Sequence, residues 1–240
     1  FKALALVVGV FLSRVKGWHL TVKCRIIRLM FDNNRPYRPL ADILRPAAFN
    51  EIIGQPALAA TGLEQLTSGS LVLWGPPGTG KTTIARVLGG ESDAFFVAIS
   101  AVFDGVGELR KVFAAAEARA HDNIQTILFV DEIHRFNKAQ QDALLPAVEA
   151  GIIRLIGATT ENPSFSLNSA LLSRVQIIVL GALDEAALHQ LVSRAEAHYE
   201  RNLPVTDDAR AAVIAYADGD GRYVLNLVER LYEAAGDTVL

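Results

Sequence analysis

The chain has 240 residues, of which 51% are apolar, so it has enough apolar surface for one large domain or two ordinary ones, and a disordered or fibrous chain is excluded. Its single cysteine, Cys24, excludes an internal disulfide, and no group of cysteines and histidines has the spacing of a zinc site. Both observations favour a reducing compartment, so we expect a cytoplasmic protein without a structural metal.

Charge is distributed unevenly along the chain. The net charge is −3 in total, and the first 30 residues contribute +6 of it with no acidic side chain, which leaves −9 for residues 31–240. An acidic body does not favour nucleic-acid binding, because phosphate contacts supply most of the affinity in such complexes. Any contact with DNA would therefore need a local basic patch or an assembled ring.

The N-terminal segment does not resemble a membrane anchor. Its longest apolar run, from Ala3 to Leu12, is shorter than the about 20 residues that a membrane span needs. Arg14 and Lys16 follow where a signal peptide has small neutral residues. The chain starts with Phe1, and its only methionine is at position 30. We interpret residues 1–29 as an extension foreign to the native protein; the alternative is a basic arm that binds a membrane surface or nucleic acid.

From residue 30 onwards, short apolar runs alternate with longer stretches of helical pattern. This alternation is typical of βαβ units, in which a parallel sheet is covered by helices on both faces. Gly89 and Gly151 stand where two of the helices should end. The predicted strands are 71–74, 95–100, 126–130, 153–158 and 175–180, and the predicted helices between them are 81–89, 106–120, 138–150 and 169–173.

After residue 180 the strand signals end and three helical patterns follow. Each begins after a residue type that is favoured as an N-cap: Asp184, Thr206, and either Asp220 or Gly221. The sequence therefore predicts an α/β core over residues 30–181, followed by a small all-helical domain over residues 182–240.

A phosphate-binding motif lies between the first predicted strand and the first predicted helix. The sequence Gly-Pro-Pro-Gly-Thr-Gly-Lys-Thr fits G-x-x-x-x-G-K-S/T. Glycines allow backbone N–H groups to turn toward phosphate oxygens, and the positive end of the following helix attracts anions. Lys81 should reach the β- and γ-phosphates of ATP, and the Thr82 hydroxyl should bind Mg²⁺. The predicted nucleotide site comprises Gly75, Pro76, Pro77, Gly78, Thr79, Gly80, Lys81, Thr82 and Thr83.

Polar residues also follow two other predicted strands. Asp131 and Glu132 come directly after one of them, where an Asp can hold Mg²⁺ through water and a Glu can deprotonate the attacking water. Two acids alone are more often a solvated strand end, but the phosphate loop favours the catalytic interpretation. Thr159 and Thr160 end the next strand, where their hydroxyls would lie near a γ-phosphate; an ordinary turn fits this local pattern equally well.

Several longer strings resemble one family. Residues 126–141 and 157–165, with Leu-Leu-Ser-Arg at 171–174, closely resemble the replication-associated recombination protein A family, which is related to the eukaryotic Werner helicase-interacting protein and belongs to the clamp-loader clade of AAA+ ATPases. Residues 45–55 are similar to the segment that leads into the ATPase domain of that clade and packs near adenine, which implicates Ile53 and Gly54. The likeness covers about residues 30–240.

The resemblance implies an AAA+ P-loop NTPase fold with a helical lid, and a native start at Met30. It also implies a C-terminal assembly region after Leu240, so we interpret the sequence as a fragment. In that family Thr160, with Thr159 as second choice, would be sensor 1. Arg174 would be an arginine finger that acts on ATP bound by a neighbouring subunit, and Arg222 would be sensor 2 on the lid.

The implied function is ATP hydrolysis by a homo-oligomeric ring that acts on single-stranded or forked DNA, together with replication-fork proteins, in fork maintenance, recombination and repair. The alternatives are a Holliday-junction or clamp-loader type motor subunit, a protein unfoldase, because residues 103–107 resemble an aromatic pore loop, and an ATP-binding scaffold that does not hydrolyse. Candidate DNA contacts are Arg110, Lys111, Arg135 and Lys138, although solvated helix charges explain these four equally well.

Overall fold

The computed structural model describes residues 37–235. The predicted extension over residues 1–29 and the predicted start at residue 30 lie outside this range. The sheet and the C-terminal helices belong to one compact unit of the chain, which begins at residue 39. Within the described residues, no helix combines the length and apolar character that a membrane crossing requires.

A five-stranded parallel sheet forms the centre of this unit, and the predicted α/β fold is confirmed. Strand order is β2-β3-β4-β1-β5, so β1 lies between β4 and β5. Ligands of such sheets bind outside the carboxyl ends of the strands, where the strand order reverses. The strands are β1 (Leu71–Trp74), β2 (Phe95–Ser100), β3 (Thr126–Asp131), β4 (Ile153–Thr159) and β5 (Gln176–Val179).

Hydrogen-bond pairing explains why three strands differ from their predicted ends. β3 extends to Asp131 because this residue pairs with Ser100 of β2. β4 extends to Thr159, which pairs with Trp74. β5 is shorter than predicted, because only residues 176–179 pair with β1.

Helices cover both faces of the sheet and form the C-terminal part. The short helices before β1 and the one over residues 163–166 were not predicted, because four to six residues are too few to show a helical period, whereas the helix predicted over 169–173 is present at Ser169–Leu172. The helices are α1 (Leu40–Ile43), α2 (Pro56–Thr61), α3 (Leu63–Ser68), α4 (Lys81–Gly90), α5 (Val106–His121), α6 (Lys138–Glu149), α7 (Pro163–Ser166), α8 (Ser169–Leu172), α9 (Glu185–Tyr199), α10 (Asp207–Ala217) and α11 (Gly221–Ala235), with 3₁₀ turns at Phe49–Glu51 and Ile133–Arg135.

The predicted N-caps of the three C-terminal helices are present. A side-chain oxygen of Asp184 accepts from the Ala187 N–H at 2.8 Å, and the Thr206 hydroxyl accepts from the N–H three residues later. At the third helix, Asp220 Oδ1 accepts from the Tyr223 N–H at 2.8 Å. Asp220 is therefore the capping residue, and Gly221 is the first residue of α11.

Alternation along the strands divides the apolar core into two layers. Leu128 and Val130 of β3 point into the layer under α5 and α6, whereas Ile127 and Phe129 point into the layer under α4. A third cluster joins α9, α10 and α11, and it includes Leu40 of α1. Both faces of the central strands β1, β3 and β4 are therefore buried, which leaves the carboxyl edge of the strands for a ligand site.

Candidate nucleotide site

One cavity lies at this carboxyl edge, next to the loop between β1 and α4. Its walls come from four parts of the chain: the segment before β1, this loop, the ends of β3 and β4, and the C-terminal helices. Of the residues predicted to bind nucleotide or act on it, those that line the cavity are Ile53, Pro77, Gly78, Thr79, Gly80, Lys81, Thr82, Thr83, Asp131, Glu132, Thr160 and Arg222.

Three of the predicted ATP-binding residues, Gly54, Gly75 and Pro76, do not line the cavity. The carbonyls of Gly75 and Pro76 accept hydrogen bonds from Lys81 Nζ at 2.8 and 2.7 Å. Gly54 packs against the C-terminal helical part, because a Cβ at this position would lie 2.7 Å from atoms of both Leu183 and Ala187. These residues support the shape of the loop and its surroundings.

Two glycines of the phosphate loop adopt the backbone conformation that favours glycine. Gly78 and Gly80 have φ values of +70° and +91°, a left-handed conformation that other residues adopt only at a cost. Gly80 is also the N-cap of α4, so the positive end of this helix faces the cavity.

Lys81 is buried, with 8% of its surface exposed. Burial lowers the pKa of its ammonium group, while the carboxylates of Glu132 and Asp131 oppose this shift. Its hydrogen bonds to loop carbonyls hold the ammonium group inside the curve of the loop. A cation is thus placed where the loop would enclose phosphate oxygens.

The two acids occupy different backbone environments. Asp131 is the last residue of β3 and its Oδ1 accepts from the Glu132 N–H at 3.1 Å. Glu132 follows with φ 54° and ψ 44°, in the left-handed region. This turn begins a 3₁₀ segment and leaves both acids at the cavity.

The residues present fit a magnesium ion. Thr82 and Asp131 bring a hydroxyl and a carboxylate to the same cavity, and Mg²⁺ prefers oxygen ligands while keeping several waters. Across residues 37–235 no cluster of three or more His, Cys, Asp or Glu could enclose a metal. Nucleotide phosphates and water would supply the remaining ligands of a cation here, as is usual for Mg²⁺ in nucleotide sites.

The two threonines at the end of β4 have different surroundings. Thr160 is exposed and lines the cavity. Thr159 is fully buried, and its Oγ1 lies 2.9 Å from Nδ1 of His134. The geometry thus places the first choice for sensor 1 in the cavity and the second choice behind it. His134 stands two positions after the acidic pair, and sequence reasoning assigned it no role.

The segment before β1 contributes polar residues that the sequence did not single out. Nη1 of Arg45, which lines the cavity, donates to Thr83 Oγ1 at 3.2 Å. The buried Gln55 donates from Nε2 to the carbonyls of Thr79 and Gly181 at 3.2 and 3.0 Å. This amide therefore joins the phosphate loop to the chain that follows β5. The similarity of residues 45–55 to a nucleotide-binding segment was the available signal for both side chains.

The C-terminal helices touch the phosphate loop through the start of α11. The Gly221 N–H donates to the Gly78 carbonyl at 3.2 Å. The Asp220 carboxylate lies against the α-carbon of Gly78, since a Cβ there would be 1.8 Å from Oδ1. Arg222 comes next and lines the cavity, so the predicted sensor 2 residue reaches the site from this side.

Arg174 lies outside the cavity. It follows α8 on the surface, where its guanidinium pairs with Glu149 Oε1 at 2.6 Å and donates to the Ala170 carbonyl at 2.6 Å. It therefore does not contribute to the nucleotide site of its own chain.

The candidate DNA-contacting residues are all exposed. Arg110 and Lys111 lie on α5, after β2, and Arg135 and Lys138 lie in the segment after β3. β2 and β3 are neighbours, so both segments leave the same region of the sheet edge. Lys111 pairs with Glu108 at 2.9 Å, which partly neutralises its charge. The side chain of Phe103, in the turn after β2, is also exposed.

Comparison with known proteins identifies relatives for most of the chain. The model of the AAA family, ATPases associated with various cellular activities, matches residues 71–182. Replication-associated recombination protein A of Coxiella burnetii is 45% identical over 85% of this chain and 48% of its own length, and that of Escherichia coli is 42% identical over 87% and 49%. The protein named ATPase WRNIP1 of Dictyostelium discoideum is 40% identical over 83% of this chain and 24% of its own length. The chain spans about half the length of the two bacterial relatives.

The chain is also similar to solved structures of another protein. The RuvB Holliday junction branch migration motor of Thermotoga maritima matches 82% of this chain and 69% of its own, with a TM-score of 0.63 and 28% identity. A variant of that protein matches the same shares with a TM-score of 0.67 and 27% identity.

Proposed function

Because this chain belongs to the AAA ATPase family and, within it, to the replication-associated recombination protein A family, we propose that it binds ATP with Mg²⁺ and hydrolyses it to ADP and phosphate. The observation that carries the proposal is one cavity that brings together the phosphate loop, Asp131, Glu132 and Arg222. These groups come from distant parts of the sequence. Each offers the charge or donor that phosphoryl transfer to water requires.

Binding depends on the phosphate loop. Its backbone N–H groups and Lys81 would hold the phosphate oxygens, and Thr82 and Asp131 would hold Mg²⁺. When bound, the ion neutralises charge on the β- and γ-phosphates. The adenine would lie between residues 45–53 and the first C-terminal helix, where Ile53 and Leu191 supply apolar walls.

Hydrolysis depends on Glu132 and the arginines. Glu132 would take a proton from a water molecule as the water oxygen bonds to the γ-phosphorus, while the bond from this phosphorus to the β–γ bridging oxygen breaks. Thr160 would hydrogen-bond the γ-phosphate or the water. Arg222, on the lid, would neutralise negative charge on the phosphates. Arg174 would do the same in the nucleotide site of a neighbouring subunit.

Two substitutions test this assignment. Glu132→Gln should retain ATP affinity and lose nearly all turnover, because the amide keeps the shape of the side chain without the base. Lys81→Ala should lose affinity as well, because the ammonium contacts phosphate in the ground state and the transition state. Phosphate release and equilibrium nucleotide binding measure the two effects. Parent-rate turnover by Glu132→Gln would refute the role of Glu132.

We propose DNA, single-stranded or forked, as the polymer on which a homo-oligomeric ring of this protein acts, with replication-fork proteins as partners. The names of the relatives refer to recombination and to a Holliday junction motor, and exposed basic residues follow β2 and β3. In a ring, one weak basic patch is repeated in every subunit, which multiplies its effect.

The DNA assignment predicts a change in salt dependence. Arg110→Ala with Lys111→Ala should weaken binding to every DNA sequence and flatten the dependence of affinity on salt, because each lost phosphate contact lowers the slope by about 0.7 to 0.9. Basal ATP turnover should stay near the parent value. An unchanged slope would refute this surface. Stimulation of turnover by unfolded protein instead of DNA would favour the unfoldase alternative.

A further inference from the structure

The side chain of His134 lies between the end of β4 and Glu132, which follows β3. It belongs to the 3₁₀ turn after β3, and only 4% of its side chain is exposed. On one side, its Nδ1 is 2.9 Å from Oγ1 of Thr159. On the other, its Nε2 is 3.3 Å from Glu132 Oε2 and 3.6 Å from Glu161 Oε1. The imidazole therefore contacts both Glu132 and the end of β4.

The surroundings determine where the ring carries hydrogen. Two carboxylates face Nε2, and a lone pair at this nitrogen would be repelled by both, so Nε2 carries a hydrogen. Nδ1 then accepts from the Thr159 hydroxyl when the ring is neutral. That hydroxyl in turn accepts from the Glu161 N–H at 3.0 Å. The result is a chain of polar contacts from Glu132 through the ring to the backbone that follows β4.

Glu132 needs such support. Its left-handed backbone begins a tight turn, and 35% of its side chain is exposed, so the side chain would otherwise sample several rotamers. A general base must lie within hydrogen-bonding distance of its water in a defined orientation. The buried ring is fixed by Thr159 and is in contact with the carboxylate.

We propose that His134 is a positioning residue for ATP hydrolysis: it orients the Glu132 carboxylate and couples it to the strand end that carries Thr160. This inference rests on the proposed function, since it takes Glu132 as the base. His134 does not line the nucleotide cavity, so it acts through Glu132. It therefore affects the chemical step and leaves ATP binding unchanged.

Two amide substitutions distinguish the contribution of Nε2 from that of Nδ1. The amide nitrogen of His134→Gln reaches the place of Nε2 and can still donate to Glu132, whereas the shorter His134→Asn reaches only the place of Nδ1. We expect His134→Asn to lower kcat about 10- to 100-fold, by analogy with the loss seen when a residue that orients a metal ligand through a hydrogen bond is replaced. The Kd for ATP should stay within about twofold of the parent value, and His134→Gln should recover most of kcat.

Glu161→Gln provides the matched control. Its carboxylate also faces Nε2, but the Glu161 side chain is 60% exposed and has no contact with the proposed water or phosphates, and Glu132 alone still favours hydrogen on Nε2. We expect this variant to keep the parent kcat. If His134→Asn fails to fold, Thr159→Val provides a second measurement, because it removes the hydroxyl that fixes the ring and leaves the ring in place. It should lower kcat with unchanged ATP affinity, and it should cause no further loss when combined with Glu132→Gln, because a residue that acts through the Glu132 carboxylate has no base left to orient.

The double variant Glu132→Gln with His134→Asn distinguishes the two hypotheses. If both are correct, it should turn over no more slowly than Glu132→Gln alone, because His134 has no base left to orient. Parent-rate turnover by Glu132→Gln would refute the assignment of Glu132 as the base, and absence of ATP turnover by the parent protein would refute the proposed function itself. If Glu132→Gln loses turnover as expected but His134→Asn keeps the parent kcat, the role of His134 is refuted. An equal loss of kcat in the Asn and Gln variants would also refute it.

Discussion

Replacing Gly78 with alanine should separate the C-terminal helices from the phosphate loop. The new methyl group would lie 1.8 Å from Asp220 Oδ1 and 2.1 Å from its Cγ, so the carboxylate must move. Its movement breaks the cap on the Tyr223 N–H, and the start of α11 shifts, which breaks the hydrogen bond from Gly221 to Gly78. One added carbon therefore disrupts two contacts between distant parts of the chain.

The cost follows from these losses. A left-handed alanine costs about 1 to 2 kcal/mol, the lost cap about 1 kcal/mol, and the lost backbone hydrogen bond about 1 kcal/mol. Gly78→Ala should therefore lower the free energy of unfolding by about 3 to 4 kcal/mol. Asp220→Ala alone should cost about 1 kcal/mol, because it removes only the cap.

The double variant tests the geometry. Independent effects would sum to about 4 to 5 kcal/mol, but without the Asp220 carboxylate the methyl group fits and Gly221 keeps its hydrogen bond to Gly78. We then expect about 2 to 3 kcal/mol in total, a favourable coupling of about 2 kcal/mol. Urea unfolding followed by circular dichroism measures all four proteins. Simple additivity would show that the carboxylate does not limit the space at Gly78.

Three further outcomes follow from the described contacts. Arg174→Ala should bind ATP normally and lose hydrolysis by up to about 10³- to 10⁵-fold; mixing it with Glu132→Gln subunits should restore some turnover, and no recovery in a demonstrably mixed oligomer would contradict action between subunits. An arginine hydrogen bond lowers the pKa of Glu196, so its stabilisation is present above the ordinary pKa of 4.5 and is lost as the pH falls through the lower native value. Glu196→Gln should therefore cost about 1 to 2 kcal/mol at about pH 7, and in urea unfolding this difference should shrink as the pH is lowered below 4.5. Leu73→Ala, at a fully buried position of β1, should cost about 2 to 5 kcal/mol by the same measurement, and a loss below about 1 kcal/mol would contradict the tight packing around this strand.

The sheet was predictable because each strand is a short apolar run bounded by polar or turn residues. Its exact ends were not, since they depend on pairing with another strand: Asp131 is polar, yet it extends β3 because Ser100 lies opposite. The helix Leu40–Ile43 has no readable period, and its position depends on contacts with the distant helix α11, whose Glu229 accepts the Leu40 N–H.

In the candidate site, too, features formed by contiguous residues were predictable, and features formed by contacts between distant residues were not. The phosphate loop and the acidic pair are contiguous in sequence, so their spacing carries the information. Gln55 and Gly181 are 126 positions apart, and His134 meets Thr159 only because β3 and β4 are neighbours. A histidine or glutamine alone carries no sign of such a partner, and only the folded chain assigns one.

The left-handed backbone of Glu132 has a consequence for engineering this chain. The other described non-glycine residues with positive φ, Asn123, Glu200 and Asp218, stand just after helices, where this conformation commonly ends a helix. Glu132 instead follows a strand, at the cavity, and the conformation costs about 1 to 2 kcal/mol. A library selected only for thermal resistance would therefore favour glycine at position 132. A search for thermostable variants of this protein should therefore keep Glu132 unchanged, because the strained backbone carries the side chain that we propose as the catalytic base.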